Sequence, residues 1–83
     1  MNKILFEKML SSGSLRLTGF KIENGIFSRT PFTLGLYQKG ECWYVYRTDE
    51  RGELRLEKEF LSEDEGYNYL HRLISLEKKL ENQ

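Results

Sequence analysis

Two side chains in this 83-residue sequence could support nucleophilic or acid–base chemistry, one cysteine and one histidine. Cys42 could act as a nucleophile only if His71 approached it in the fold, and no spacing in the sequence requires that approach. His71 stands between Leu70 and Arg72 in a predicted helix, where a lone histidine is usually structural or solvent-facing. We therefore predict no catalytic residue and interpret Cys42 as a small buried apolar side chain.

The other residue combinations that could carry chemistry are weak. A single cysteine and a single histidine cannot supply a Cys/His zinc site or a disulfide framework. Glu57 and Glu59 share one face of a predicted strand, which is the arrangement of a pair of glycosidase carboxylates, but so short a chain offers no evident cleft for a sugar. The seven glycines are scattered and form no phosphate-binding fingerprint. The sequence therefore predicts no enzymatic activity, no metal and no cofactor.

The charged residues balance overall but are distributed unevenly. Thirteen basic and thirteen acidic side chains give zero net charge, which argues against a general nucleic-acid or membrane-surface binder. Residues 1–40 carry six basic and two acidic side chains, whereas residues 41–83 carry seven basic and eleven acidic ones. The segment 49–65 alone holds eight acidic and three basic residues. This segment is either a solvated strand edge and helix start or an acidic surface for a basic partner.

The N-terminal residues do not predict export or membrane insertion. The apolar run Ile4–Phe6 is broken by Glu7 and Lys8, so no adequate hydrophobic region of a signal peptide is present. No stretch approaches the roughly 20 apolar residues that cross a bilayer, and an unpartnered cysteine is typical of a reducing compartment. We expect a cytoplasmic protein that folds as one domain over residues 1–83 and contacts no membrane.

The hydrophobic pattern predicts an α+β fold. A short N-terminal helix over Asn2–Leu10 is followed by an antiparallel meander of about five strands, beginning with the alternation at Leu15 and Leu17. Ser62 and Glu65 form a capping box that begins a C-terminal helix, which we expect to pack on one face of the sheet. Six apolar residues are expected to be buried in this core: Trp43, Val45, Leu56, Leu70, Leu73 and Ile74.

Three turns define the predicted meander. Asn24 and Gly25, between two strand-like runs over residues 20–23 and 26–29, give the strongest hairpin signal. Lys39 and Gly40 are expected to form the loop of a second hairpin. Residues 49–52 then turn the chain into a last strand, with Gly52 in a left-handed bulge position.

The second hairpin divides the predicted sheet into two faces, because side chains alternate along a strand. The core face would carry Leu34, Leu36, Trp43, Val45, Leu54, Leu56 and Phe60. The opposite face would carry Tyr37, Cys42, Tyr44, Tyr46, Arg55, Glu57 and Glu59. On this opposite face we expect the Tyr44 ring to cover Gly35. The tyrosines are either covered by the N-terminal helix or the first hairpin, or exposed in part as a protein-binding patch.

One stretch of the chain is similar to a known family. The runs Leu34–Tyr37, Trp43–Gly52, Lys58–Phe60 and Ser62–Glu65, followed by a helix rich in Tyr and Leu, are its matching parts. In these residues the sequence resembles a small immunity-protein family of bacterial polymorphic toxin systems, the one numbered fifty-nine. The similarity spans roughly residues 34–74, about half the chain, and the Trp-x-Val-Tyr-x-Thr-Asp-Glu-Arg-Gly run is its most specific part.

The resemblance implies a non-enzymatic protein that binds and neutralises a cognate toxin domain, with no catalytic residue. The acidic segment would fit a basic toxin such as a nuclease. We therefore predict six partner-binding residues, of which the carboxylates would steer the partner and the tyrosines would anchor it: Asp49, Glu50, Glu57, Glu59, Tyr44 and Tyr46. The alternative is a small nucleic-acid-associated or regulatory module that uses the tyrosines, although the neighbouring glutamates would repel phosphate.

Overall fold

The computed structural model describes residues 1–82 as two helices and one four-stranded sheet. The elements in chain order are α1 (Lys3–Ser12), β1 (Lys21–Asn24), β2 (Thr33–Lys39), β3 (Cys42–Thr48), β4 (Leu54–Phe60) and α2 (Glu63–Glu81). The strand order is β1-β2-β3-β4, with β1 parallel to β2 and the other two pairs antiparallel. The α+β class is confirmed, but the sheet is mixed and has four strands rather than about five antiparallel ones. Neither helix is long and apolar enough to cross a bilayer.

Helix α1 begins and ends at residues suited to those positions. The Asn2 side chain accepts the Leu5 N–H at 2.8 Å, as an N-cap residue does. Gly13 ends the helix with φ +83°, a left-handed conformation that glycine adopts at little cost. The predicted helix is confirmed and extends two residues further, to Ser12. Phe6 is its buried side chain, and Leu5 is exposed.

Helix α2 packs across the sheet and closes the core. Its start is confirmed, because Ser62 Oγ accepts the Glu65 N–H at 3.2 Å. Three acidic side chains in the first turn and two lysines in the last turn suit the helix dipole. Gly66 permits the close approach to β2, since a Cβ at that position would lie 2.8 Å from Leu36 Cδ1.

The core lies between α2 and one sheet face, with α1 beside α2. Its buried members are Phe6, Leu15, Leu17, Leu34, Leu36, Val45, Tyr67, Leu70 and Ile74. Three of the six predicted core residues are half-buried rather than buried: Trp43, Leu56 and Leu73. Leu54 is 44% exposed, contrary to prediction. A bulge in the β3–β4 pairing sets it opposite Thr48, so it lies on the sheet face away from α2.

The predicted hairpin at Asn24 and Gly25 is wrong. Gly25 has φ +94°, but its N–H donates to the Leu36 carbonyl at 2.7 Å, and the chain then continues through a loop. This crossover loop, residues 25–32, returns the chain so that β2 runs parallel to β1. Its backbone bonds to side chains of β3 instead of forming the strand expected over residues 26–29. Leu15 and Leu17 are buried in the core without joining the sheet.

The β2–β3 hairpin turns one position later than predicted. Gly40 and Glu41 form the loop, so Lys39 pairs with Cys42 and the whole register moves by two residues. Gly40 has φ +63°, and a type II′ turn needs such a residue at its first loop position. A shift of two residues keeps every side chain on its predicted face.

Glu81 joins the end of α2 to the segment that follows α1. Its carboxylate accepts the Thr18 N–H at 2.8 Å, the Thr18 hydroxyl at 2.6 Å and the Gly19 N–H at 2.8 Å. The Thr18 hydroxyl, followed by the two backbone N–H groups, lowers the pKa of Glu81 below its usual 4.5. Because the folded-state pKa is the lower one, this stabilisation is present above about pH 4.5 and is lost as pH falls through the folded-state value.

We expect Glu81→Gln to make unfolding less sensitive to acid, because glutamine does not titrate. Between about pH 6 and about pH 3 the urea midpoint of the variant should fall less than that of the unsubstituted protein. Urea denaturation of both proteins at both pH values measures the difference. Identical pH dependence would mean that the Glu81 carboxylate has no preferred partner in solution.

Candidate functional site

The sheet face opposite α2 brings together tyrosines and glutamates from three strands. Tyr37 of β2 lies beside Tyr44 of β3, and Tyr44 lies beside Glu59 of β4. Glu57 is two residues before Glu59 and therefore shares its face. We call these four residues the acidic tyrosine face.

Hydrogen bonds and ring stacking hold the acidic tyrosine face in one arrangement. The rings of Tyr37 and Tyr44 stack with centroids 5.3 Å apart and an interplanar angle of 21°. The Tyr37 hydroxyl donates to Glu57 Oε2 at 2.6 Å. Burial, together with this bond and the charge of Glu57, raises the pKa of Tyr37 to about 12, so the hydroxyl remains a donor at neutral pH. The Cys42 thiol donates to Glu59 Oε1 at 3.1 Å.

The neighbouring part of the same face is covered by the crossover loop. The Tyr46 hydroxyl donates to the Ile26 carbonyl at 2.8 Å and accepts the Ser28 N–H at 3.0 Å. Phe27 packs against Tyr46 and Tyr37, with ring centroids 4.9 Å and 5.1 Å away. Tyr46 is consequently 0% exposed, and neither α1 nor a hairpin provides its cover.

The ring that covers Gly35 belongs to Tyr46 and not, as predicted, to Tyr44. Tyr46 is the residue paired with Gly35 in the observed register. A Cβ at position 35 would lie 2.6 Å from three atoms of the Tyr46 ring and hydroxyl. The two-residue register shift therefore leaves Tyr44 beside Tyr37, where it is half-buried.

Asp49 has a structural role in the β3–β4 turn. Its carboxylate accepts the N–H groups of Arg51 and Glu53, both at 2.9 Å, and Arg55 Nε at 2.6 Å. Partial burial opposes ionisation, but these donors outweigh it and lower the pKa of Asp49. Arg55 was expected on the tyrosine face, but it is the extra residue of the bulge and bonds to Asp49.

The six predicted partner-binding residues thus separate into three groups. Tyr44, Glu57 and Glu59 lie together on the acidic tyrosine face, and both glutamates are exposed. The Glu50 side chain is exposed in the turn, whereas Asp49 and Tyr46 are engaged within the protein. Two further contributors were not among the six. Alternation from Gly35 already placed Tyr37 on this face, but no sequence signal could reveal Phe27, whose position depends on the crossover loop.

Cys42 is half-buried and hydrogen-bonded rather than a buried apolar residue as predicted. The bond to Glu59, followed by desolvation and nearby carboxylates, raises the pKa of the Cys42 thiol. A raised pKa opposes nucleophilic activation. Across residues 1–82 no group of three or more His, Cys, Asp or Glu side chains could hold a metal ion.

We expect Glu59→Gln to increase the reactivity of the Cys42 thiol, because the variant lacks the carboxylate that raises its pKa. The rate of iodoacetamide alkylation near pH 8 should rise by several-fold. Glu57→Gln is the matched control, since it removes an equal charge from the same face but not the thiol's hydrogen-bond partner. Equal acceleration in both variants would attribute the effect to general charge rather than to the Glu59 contact.

Comparison of the chain with protein families, with curated proteins and with solved structures finds no match in any of the three.

Proposed function

We propose that this chain is a non-enzymatic immunity protein that binds and neutralises a cognate toxin domain with a basic surface. The observation that carries the proposal is the acidic tyrosine face, where two stacked aromatic rings lie beside two exposed carboxylates. Aromatic side chains commonly supply the binding energy at the centre of protein interfaces, with charged groups around them. The choice of immunity over another binding function rests on the resemblance over residues 34–74.

The charges of the face favour a basic partner. Glu57 and Glu59 project from adjacent same-face positions of β4, in a protein whose overall charge is zero. Their local field would raise the rate of encounter with a basic surface, although net charge alone would not. A basic nuclease, whose own substrate is a polyanion, would have the complementary potential.

The aromatic part of the face suits a protein partner. Tyr37 and Tyr44 are half-buried, and the neighbouring Phe27 and Ile26 are exposed at 40% and 57%. Because the Tyr37 hydroxyl is fixed by Glu57, little side-chain entropy would be lost when a partner covers the rings. Apolar contact over these rings would prolong the complex after electrostatic encounter.

The nucleic-acid alternative is disfavoured by the same geometry. Exposed rings can stack on bases, but Glu57 lies within hydrogen-bond distance of Tyr37 and would repel the phosphates that accompany a stacked base. Retention on heparin or on a single-stranded oligonucleotide, lost at high salt, would favour this alternative over immunity.

The proposal is tested with the protein encoded by the gene immediately upstream. Co-expression of this chain should restore growth to cells that produce that protein, and the two purified proteins should form a complex. The Glu57→Lys, Glu59→Lys double variant should associate about tenfold more slowly at about 0.02 M salt, with a smaller difference at about 0.5 M. Stopped-flow association kinetics at the two ionic strengths measure the effect.

A double variant of equal charge change serves as the control. Glu7→Lys with Asp64→Lys alters exposed positions of α1 and α2, on the other side of the sheet. The control should associate at nearly the original rate. An unchanged rate in the folded Glu57, Glu59 variant would place the interface elsewhere, on the basic N-terminal half first of all. Absence of both rescue and complex would reject the immunity function.

A further inference from the structure

Strand β4 is an edge of the sheet that residues 1–82 form. It is the last strand in the order β1-β2-β3-β4 and is seven residues long. Five of its residues are exposed, and Leu56 and Phe60 are half-buried on the α2 side. An edge strand carries a row of unpaired backbone N–H and C=O groups, which can pair with another extended chain.

The backbone groups of Glu57 and Glu59 are the ones that face outward. The pair closing the two-residue β2–β3 loop exchanges two hydrogen bonds, and bonding then alternates along β3. Val45 therefore directs its backbone groups towards β4, where its partner is Lys58. Glu57 and Glu59, on either side of Lys58, direct their N–H and C=O groups away from β3. The residues whose carboxylates form the acidic tyrosine face thus also offer the free backbone bonds.

The charged side chains of β4 lie over the sheet faces rather than across the free edge, although they remain exposed. A lysine on an edge strand commonly prevents strand addition, but Lys58 Nζ lies 4.7 Å from the centroid of the Tyr69 ring on α2. Glu57 is bonded to Tyr37 on β2, and Glu59 to Cys42 on β3. All three side chains therefore fold back over the sheet faces and leave the backbone between them accessible.

Pairing of β4 with a second copy of itself is disfavoured by charge. Full antiparallel overlap would place Glu57 opposite the same residue of the second copy, and like charges directly opposite are destabilising. The same register would place Arg55 opposite Glu59, and this attractive pair could offset the repulsion. Arg55, however, is already bonded to Asp49 at 2.6 Å. The edge is better suited to a strand of opposite charge.

We propose that the partner adds an extended antiparallel strand to β4, with arginine or lysine at alternate positions opposite Glu57 and Glu59. Each basic residue would exchange backbone hydrogen bonds with a glutamate and place its side chain on the acidic tyrosine face. The basic side chains would then contact a carboxylate and the rim of the tyrosine stack together. This inference rests on the proposed function only for the sign of the partner's charge.

The experiment uses a synthetic heptapeptide, blocked at both ends, with arginine at its second, fourth and sixth positions and threonine or valine elsewhere. Titration into the isotopically labelled protein, followed by amide NMR, should shift the N–H signals of Glu57 and Glu59. Their hydrogen exchange should slow on binding, whereas the Lys58 N–H is already bonded to β3 and should change little.

Two modified peptides separate backbone pairing from charge attraction. N-methylation of the three arginines removes the N–H groups that would face β4, and affinity should fall about tenfold or more. N-methylation of the residues at positions 3, 5 and 7 adds the same number of methyl groups on the opposite edge, and affinity should be nearly retained. Equal affinity of the two peptides, or peptide contact without slower exchange at Glu57 and Glu59, would overturn the proposal.

Protein variants test the same backbone hydrogen bonds by changing β4 instead of the peptide. Glu57→Pro removes both the carboxylate and the outward N–H, and an edge position tolerates proline when its N–H faces solvent. Glu57→Gln removes the charge alone. The proline variant should bind the arginine peptide about tenfold more weakly than the glutamine variant. If the proline variant fails to fold, the N-methylated peptides decide the question on the unsubstituted protein.

The strand proposal and the immunity proposal fail in different ways. Peptide pairing at β4 without neutralisation of the upstream-encoded protein would retain the edge site and reject the immunity function. Formation of a toxin complex in which the Glu57 and Glu59 amides still exchange as in the free protein would retain immunity and overturn strand addition. A chain that is dimeric in sedimentation and already protected at these amides would show self-pairing and overturn it as well.

Discussion

Gly52→Ala should destabilise the protein by about 2–5 kcal/mol, a loss comparable with the whole stability of many small domains. Gly52 has φ +77° and is buried in the turn between β3 and β4. A Cβ at this position would overlap the carbonyl oxygen of Arg29, a backbone atom of the crossover loop. The substitution therefore combines an unfavourable backbone conformation with a collision that no side-chain rotation can relieve.

The consequence extends beyond the turn because the turn and the crossover loop are held together. Asp49 accepts the N–H of Gly52 and that of Phe32 through its carbonyl oxygen, both at 3.0 Å. The Thr48 hydroxyl donates to the Thr30 carbonyl at 2.7 Å. Displacement of residues 29–32 would strain these bonds and loosen the loop that covers Tyr46.

Gly25→Ala is the matched control for this prediction. Gly25 also has a positive φ, +94°, but no atom lies within 4 Å of the position that its Cβ would take. Its substitution should lower the free energy of unfolding only through the unfavourable backbone conformation, by about 1–2 kcal/mol. Urea denaturation with comparison of midpoints and m-values measures both losses. Equal losses in the two variants would show that the Arg29 segment moves aside freely and that the Gly52 contact is not a constraint.

The parts of the fold that sequence reasoning predicted correctly are those governed by neighbouring residues. Ser62 caps the start of a helix through a residue three positions away, and the apolar spacing within residues 2–10 is typical of a helix; both helices are present in the structure. The period of two along β2 and β3 likewise placed each side chain on the correct face, even though the predicted hairpin register differed from the observed one by two residues. Local rules were sufficient wherever local contacts decide the structure.

The errors fall where distant residues compete with a local preference. Asn24-Gly25 favours a tight hairpin by itself, but the segment after it gains hydrogen bonds to Tyr46 and Thr48, about 20 positions along the chain. Those bonds draw the loop across the sheet and make β2 a parallel neighbour of β1. A parallel pair requires a connection that passes over the sheet, and nothing in residues 26–29 alone reveals that passage.

In the candidate site too, features set by neighbouring residues were predicted correctly and features set by distant residues were not. Alternation was enough to place Tyr37, Tyr44, Glu57 and Glu59 on one face, because all belong to regular antiparallel strands. It could not show that Tyr46 would be covered by a distant loop. Acidity alone also could not distinguish Asp49, whose oxygens accept hydrogen bonds from its own turn, from glutamates that remain exposed. Charge counts identified the region, and only the burial of each side chain distinguished the half-buried Asp49 from Glu57 and Glu59, which are exposed although each also accepts a hydrogen bond.

Gly35→Ala should destabilise the protein by about 2–4 kcal/mol through the Tyr46 ring. The added methyl would lie 2.6 Å from Cε1, Cζ and Oη of that ring, so the ring must move. Movement is costly because the hydroxyl is bonded to the backbone of Ile26 and Ser28, and Phe27 packs against the ring. The methyl group should therefore displace the crossover loop as well as the side chain, and faster exchange of the Ser28 amide would report that displacement.

Two further variants isolate the contact between positions 35 and 46. Gly66→Ala introduces a methyl 2.8 Å from Leu36 Cδ1, a side-chain end that can rotate more readily than a hydrogen-bonded ring, and it improves helix propensity, so its loss should be smaller than that of Gly35→Ala. Tyr46→Leu removes the ring atoms that the methyl would meet. The Gly35→Ala, Tyr46→Leu double variant should consequently be at least about 1 kcal/mol more stable than the sum of the single losses predicts. Strict additivity in this cycle would mean that Gly35 is required for a reason other than the ring that lies over it, and that the cover of the sheet does not depend on this close approach.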